Sequence, residues 1–193
     1  MRTASFDRDH VLRSAMQAFR HKGFAATTMQ DLVAATGLHP GSIYCAFGNK
    51  KGLLLAAVDH YVADRQRALE ACFEGVSPFT GLQRYLAQVV EETRHCDSMD
   101  CLLTKALQEL NEQDADIARR LGGLLDDLER WLARSLEQAQ QAGEARTDAS
   151  PEQLARLLIV GIYGLRTYAH QHPAPDCLQE TAARLLAALQ PAA

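Results

Sequence analysis

Apolar residues in this chain recur at intervals of three and four and almost never at two, which commits nearly every segment to amphipathic helix and leaves no stretch for a sheet. Proline and glycine mark the joints. Helices are expected at about 7–22, 28–36, 39–47, 50–73, 78–95, 99–111, 114–142, 151–171 and 176–189. Gly23 stops the first, Thr27 or Thr28 caps the second, and Pro40 opens the third at a position where no backbone donor is lost. Ser150-Pro151-Glu152 and Asp176 after Pro175 are further start signals. The fold class is therefore all-α with about nine helices. A small N-terminal domain, 1–52, is expected to precede a larger one, 53–193, with the helix at 50–73 joining them as a lever.

At 193 residues, 47% hydrophobic and 23% charged, the chain has the composition of a globular protein and not of a disordered one. The opening MRTASFDRDH is polar, and the longest uncharged apolar run, Leu157 to Leu165, is bounded by Arg156 and Arg166, so neither a secretory leader nor a spanning helix is expected. Cys45, Cys72, Cys96, Cys101 and Cys177 are odd in number and lack CxxC spacing, which points to a reducing cytoplasm. The net charge of −4 is unevenly spread. Residues 1–52 hold seven basic residues (Arg2, Arg8, Arg13, Arg20, Lys22, Lys50, Lys51) against Asp7, Asp9 and Asp31, a local +4, and the remainder carries −8. A basic end on an acidic body suits a polyanion at one place only.

Two short helices joined by a turn with glycine, the second about seven residues long, describe a helix-turn-helix. Here the turn is Thr36-Gly37-Leu38-His39, and Leu38 is expected to join a small core of Phe19, Phe24, Leu32, Ile43 and Phe47. Spacing alone fits a plain helical hairpin equally well. Lys50 and Lys51 at a helix start are electrostatically unfavourable, by about 0.3–1 kcal/mol each, which suggests that they aim at an anion. With free helix-start amides and the Tyr44 hydroxyl nearby they form a candidate phosphate site.

The run from Thr28 through Gly37, Gly41, Tyr44, Phe47 and Lys50 to Leu53-Leu54 resembles the DNA-binding domain of the TetR family of repressors. The resemblance covers roughly residues 7–60 by motif and the rest by length and helical layout. It implies that Thr28 caps its helix and contacts phosphate, that Gly37 is the turn glycine, and that Tyr44 and Lys50 contact the DNA backbone. His39, Pro40, Gly41 and Ser42 then occupy the start of the recognition helix, where base edges are reached in the major groove. Cys45-Ala46 departs from the bulky pair often found after the tyrosine, and His39 stands where many members have serine.

Such readers act as dimers on palindromic sites. Leu154, Leu157, Leu158, Gly161, Ile162, Leu165 and Tyr168 form one broad stripe and Leu178, Ala182, Leu185, Leu186 and Leu189 another, a pair able to meet its symmetry mate in a four-helix bundle, as the resemblance also implies. The alternative is that both stripes face the chain's own core. Candidate lining for a small-molecule effector is Tyr85, Val89, Leu103, Leu107, Trp131 and Tyr163, residues that serve a core equally well. Cys101, near the expected start of the sixth helix, is a candidate reactive thiol. Its Asp100-Cys101-Leu102 resembles the Gly-Cys-Leu of some family members that respond to reactive species, with a carboxylate that opposes thiolate formation.

No phosphate-cradling glycine loop, GxSxG or HExxH is present, and His95, Cys96 and Cys101 fit no common metal spacing, so no enzyme, cofactor or metal is implied. The expected function is a ligand- or redox-responsive repressor of operator DNA. The rivals are a helical adaptor or oligomerisation module, and a thiol-based sensor built on Cys101.

Overall fold

The structure, a computed structural model, describes residues 6–95, 102–110, 114–171, 173–174 and 176–191. Among them are nine helices and no strand. In chain order they are α1 (Arg8–Lys22), α2 (Met29–Thr36), α3 (Pro40–Phe47), α4 (Lys50–Phe73), α5 (Pro78–His95), α6 (Leu102–Leu110), α7 (Ala115–Gln141), α8 (Pro151–Ala169) and α9 (Cys177–Ala187). The expected starts and stops hold to within one or two residues at most ends. The last helix closes early because Leu189 and Gln190 donate to Leu186 and Ala187, tightening the final turn. None of the described helices is long and apolar enough to cross a membrane.

Two compact units divide the chain, 1–67 with 100–122 and 68–99 with 123–193, so that it passes from one to the other within α4 and again within α7. In the first unit α1 packs on α2 and α6, and α2 on α3. Val11, Leu12, Ala15 and Phe19 form the buried face of α1, and Leu32 of α2, Ile43 of α3 and Leu53, Leu54, Ala57 and Val58 of α4 are buried as well. Phe24, Leu38 and Phe47 close the edge of this core half-buried. The junction of α1 and α2 is gripped by α6. Lys105 donates to the Arg20 carbonyl at 2.8 Å, and Glu109 accepts from the Ala25 amide at 2.8 Å so closely that a Cβ on Gly23 would stand 2.2 Å from its Oε1. Lys51 pairs with Asp114, and Arg120 clamps Asp59 with bonds of 2.6 and 2.8 Å.

In the second unit α5 packs on α8 and α9, and α8 on α9. Its core runs through Leu82, Leu86, Val89, Leu132, Leu136, Leu154, Leu158, Ile162, Leu165 and Leu178. Ser150 and Gln153 complete a capping box at the start of α8, with Pro151 at its first turn.

The placement of α3 rests on a close backbone approach at its end. The Asn49 side chain caps α4 by accepting from the Gly52 amide at 2.8 Å, and the Phe47 carbonyl oxygen lies 1.9 Å from where a Cβ on residue 52 would be. Backbone cannot yield as a flexible side chain can, so only glycine fits. Gly122, inside α7, has nothing within 4 Å of its own Cβ position. Gly52→Ala is therefore expected to destabilise the protein by about 1–3 kcal/mol, the usual cost of overpacking. Gly122→Ala should stabilise by about 0.4–1 kcal/mol through the unfolded chain. Denaturant titrations of both variants check this difference of sign.

Candidate nucleic-acid interface

The geometry of the first unit turns one short helix outward. Thr28 and Asp31 form a reciprocal box at the start of α2, with Asp31 N–H to Thr28 Oγ1 at 3.2 Å and Thr28 N–H to Asp31 Oδ2 at 2.8 Å. Gly37 ends α2 with φ 69°, a left-handed backbone that glycine adopts without the Cβ penalty, and directs the chain into α3. Ile43 is fully buried and pins α3 to the core. His39, Pro40, Gly41, Tyr44, Cys45 and Ala46 are all exposed, and Ser42 is half-buried. Tyr44, at 52% exposure, is a large aromatic side chain held in solvent. The structure thus leaves His39, Pro40, Gly41 and Tyr44 open to solvent in and just before α3, with Ser42 half-buried among them and Gly37 and Thr28 exposed at the end and start of α2.

Lys50 departs from the sequence expectation. Its ammonium is turned inward, donating to the carbonyls of Phe24 at 2.8 Å and Thr27 at 2.9 Å and standing 4.3 Å from the centroid of the Phe24 ring. The helix-start cost of two lysines is met within the chain, by these carbonyls for Lys50 and by the Asp114 carboxylate for Lys51. Sequence shows that a cation at this place needs a counterpart, but the carbonyls that supply it come from a turn more than twenty residues away.

The dimerisation set also needs correction. Leu154, Leu158, Ile162, Leu165 and Leu178 are buried in the chain's own core. Gly161 serves that core too, because a Cβ there would lie 2.2 Å from Leu185 Cδ2, and Leu185 and Leu186 pack partly buried against the same cluster. Helix α8 carries two apolar stripes, and periodicity could not separate the inner from the outer. The outer one is Leu157, Val160 and Tyr168, 43%, 66% and 43% exposed, with Gly164 open between them.

Of the expected effector-lining residues, Val89 is buried in the second unit's core, and Tyr85, Trp131 and Tyr163 pack against it. Trp131 meets Phe73 edge to face, with ring centroids 4.7 Å apart. Leu103, buried, and Leu107, half-buried, belong to α6 in the first unit, so the set is not one cluster. Cys101 lies outside the described residues. Sequence reasoning missed a polar seam through the second unit. The Cys72 thiol donates to Gln88 Oε1 at 3.2 Å, Gln88 Nε2 donates to Glu92 Oε1 at 2.9 Å, and Glu92 Oε2 stands 3.6 Å from the largely buried Arg166 guanidinium. Burial pushes the Cys72 thiol up from its ordinary pKa. The available signal was the spacing Tyr85, Gln88, Glu92, residues three and four apart and so on one side of the helix. An open groove of about 470 Å³ lies elsewhere, lined by Asp126, Glu129, Arg130, Arg134, Glu137 and Glu152 among others, and includes none of the expected lining residues.

A short outward helix that follows a left-handed glycine gives the first unit the geometry of a helix-turn-helix. Two family models match it: bacterial regulatory proteins of the tetR family over residues 11–57, and the tetracyclin repressor-like C-terminal domain over residues 79–185. The HTH-type transcriptional repressor ComR of Escherichia coli (strain K12) is 31% identical over 185 residues, covering 94% of this chain and 88% of the relative. A cysteine mutant of the regulator CifR, solved in complex with 26bp double-strand operator DNA, superposes with a TM-score of 0.83 at 26% identity, covering 98% of this chain and all of that one. A TetR-family regulator from Agrobacterium tumefaciens superposes with a TM-score of 0.85 at 16% identity, over 94% of this chain and 96% of that one. The chain belongs to the TetR family, a family of transcriptional regulators and not of enzymes.

Two predictions follow from this geometry. Lys50→Met removes hydrogen bonds to two carbonyls and is expected to destabilise the fold by about 1–3 kcal/mol, whereas Tyr44→Phe should stay within about 0.5 kcal/mol of the parent, as checked by thermal unfolding. The Asp31 carboxyl is held well below the ordinary carboxylate range, first by the hydrogen bond from Lys22 and then by the Thr28 amide. A depressed folded pKa means that its contribution is present above the unfolded value, near 3.9, and is lost as the pH falls further toward the folded one. Stability below about pH 4 should therefore fall less steeply in Asp31→Asn than in the parent protein, measured as melting temperature against pH.

Proposed function

We propose that this chain is a ligand-responsive transcriptional repressor that acts in the cytoplasm, binds palindromic operator DNA as a homodimer and is released by a small-molecule effector. The observation that carries the reading is the exposed surface of α3, anchored behind by Ile43 and presenting Tyr44 to solvent. A helix of this kind enters the major groove while neighbouring hydroxyls and amides take phosphates. Tyr44 and Thr28 are the phosphate contacts, and His39, Pro40, Gly41 and Ser42 reach the base edges. Lys50 positions the turn that carries Thr28. The operator-bound CifR structure and the repressor names of ComR and of DhaR, from a Mycobacterium, support repression of an operator.

The outer stripe of α8, Leu157, Val160, Gly164 and Tyr168, is the surface that a second copy covers, with Gly164 allowing close helix approach. The partly buried Cys72–Gln88–Glu92–Arg166 seam would give the effector polar partners in the same unit as the apolar core on which Tyr85 and Tyr163 pack. Effector and operator favour different settings of the protein, so each weakens the other by one and the same factor.

Salt titration with a palindrome selected from random DNA tests the reading. Log affinity should fall linearly with log salt, with a slope of about −0.9 for each phosphate neutralised, and random duplex should bind far more weakly. Binding that ignores salt, or treats both duplexes alike, would favour the helical-adaptor reading. Tyr44→Phe should weaken both duplexes by a similar factor. Val160→Glu places a charge on the outer stripe and should yield a folded monomer in sedimentation analysis, with operator affinity reduced more than tenfold.

A further inference from the structure

We infer that Cys45 is a base-reading residue of α3, its side chain lying against the C5-methyl group of a thymine. The inference rests on the DNA-reading role proposed above and names what that surface recognises. Successive residues of a helix turn by about 100°, so positions two before and two after Ile43 point away from it. Ile43 is fully buried, and those two positions are Gly41 and Cys45, four apart on one ridge and both exposed. Gly41 has no side chain and nothing within 4 Å of where one would begin. The side chain aimed most directly away from Ile43 is consequently that of Cys45, an exposed free thiol, with exposed Ala46 next to it in the chain.

The composition of α3 narrows the chemistry. Its sequence, PGSIYCAF, holds no arginine, lysine, asparagine, glutamine or carboxylate, the side chains that read guanine, adenine or cytosine edges by paired hydrogen bonds. Cysteine behaves as a small hydrophobe with a weak donor. On the major-groove floor the apolar feature open to such a group is the thymine methyl. Short side chains at positions 41, 45 and 46 also keep the helix backbone free to come close to that floor, which a methyl contact through one sulfur requires.

The experiment uses the full-length protein and a duplex selected by it from random DNA. Each thymine of one half-site is replaced singly by uracil, which deletes the methyl and leaves the pairing edge unchanged. Affinities are measured for the parent, C45A and C45S at fixed salt. The parent should lose about fourfold at one thymine, the worth of one buried methyl, and that loss should shrink toward zero in C45S, whose hydroxyl replaces the apolar sulfur, and in part in C45A, whose shorter methyl still faces the groove. The slope of log affinity against log salt should be the same in all three, because phosphate contacts are untouched. The same uracil profile in parent and variants overturns the inference, as does a selected half-site in which no thymine methyl matters. If the parent binds no duplex even at low salt, the DNA-reading role itself fails, and this inference falls with it.

Discussion

The position of α3 is the constraint on which this protein's candidate function depends. It is fixed from three directions: Ile43 is sunk without exposure into the core, Gly37 sets the entry angle with a left-handed backbone, and the Phe47 carbonyl abuts Gly52 so closely that no side chain fits between. A short helix of eight residues has little stability of its own. Its rigidity is borrowed from α1, α2 and α4, and a rigid reading element loses less entropy on meeting a partner than a mobile one. The exposed ridge is thus the far side of a well-packed one.

The architecture was legible in the sequence because helix punctuation is local chemistry. Thr28 with Asp31, Ser150 with Gln153, Pro40 and Pro151 at first turns, and Gly23, Gly37 and Gly48 at ends all act within four residues of the boundary they define. The outward set of α3 was readable for the same reason, since a buried Ile43 dictates which neighbours face out. Where the reading went astray, the deciding partner was remote. Lys50 is claimed by carbonyls of Phe24 and Thr27, and Gly161 by a side chain of α9. Helix α8 is apolar over two adjoining faces, and periodicity reports amphipathicity without saying which apolar face the rest of the chain covers.

The second unit differs in character from the first. Its core is built of leucine and aromatic side chains, yet the same unit also holds a partly buried row of polar groups running from Cys72 through Gln88 and Glu92 to Arg166. Replacing such a pair by apolar residues of similar size is often neutral or stabilising, so its presence is not explained by stability alone.

The grip of α6 on the α1–α2 junction has a consequence for how this protein is made and divided. Lys105 and Glu109 reach the Arg20 carbonyl and the Ala25 amide, and Asp114 and Arg120 take Lys51 and Asp59. The reading head is therefore discontinuous in sequence. During synthesis it waits for some fifty further residues after α4 before its supports exist, and a fragment cut after the helix-turn-helix would lack them. Moved onto another body, this head would have to carry α6 or an equivalent of it along.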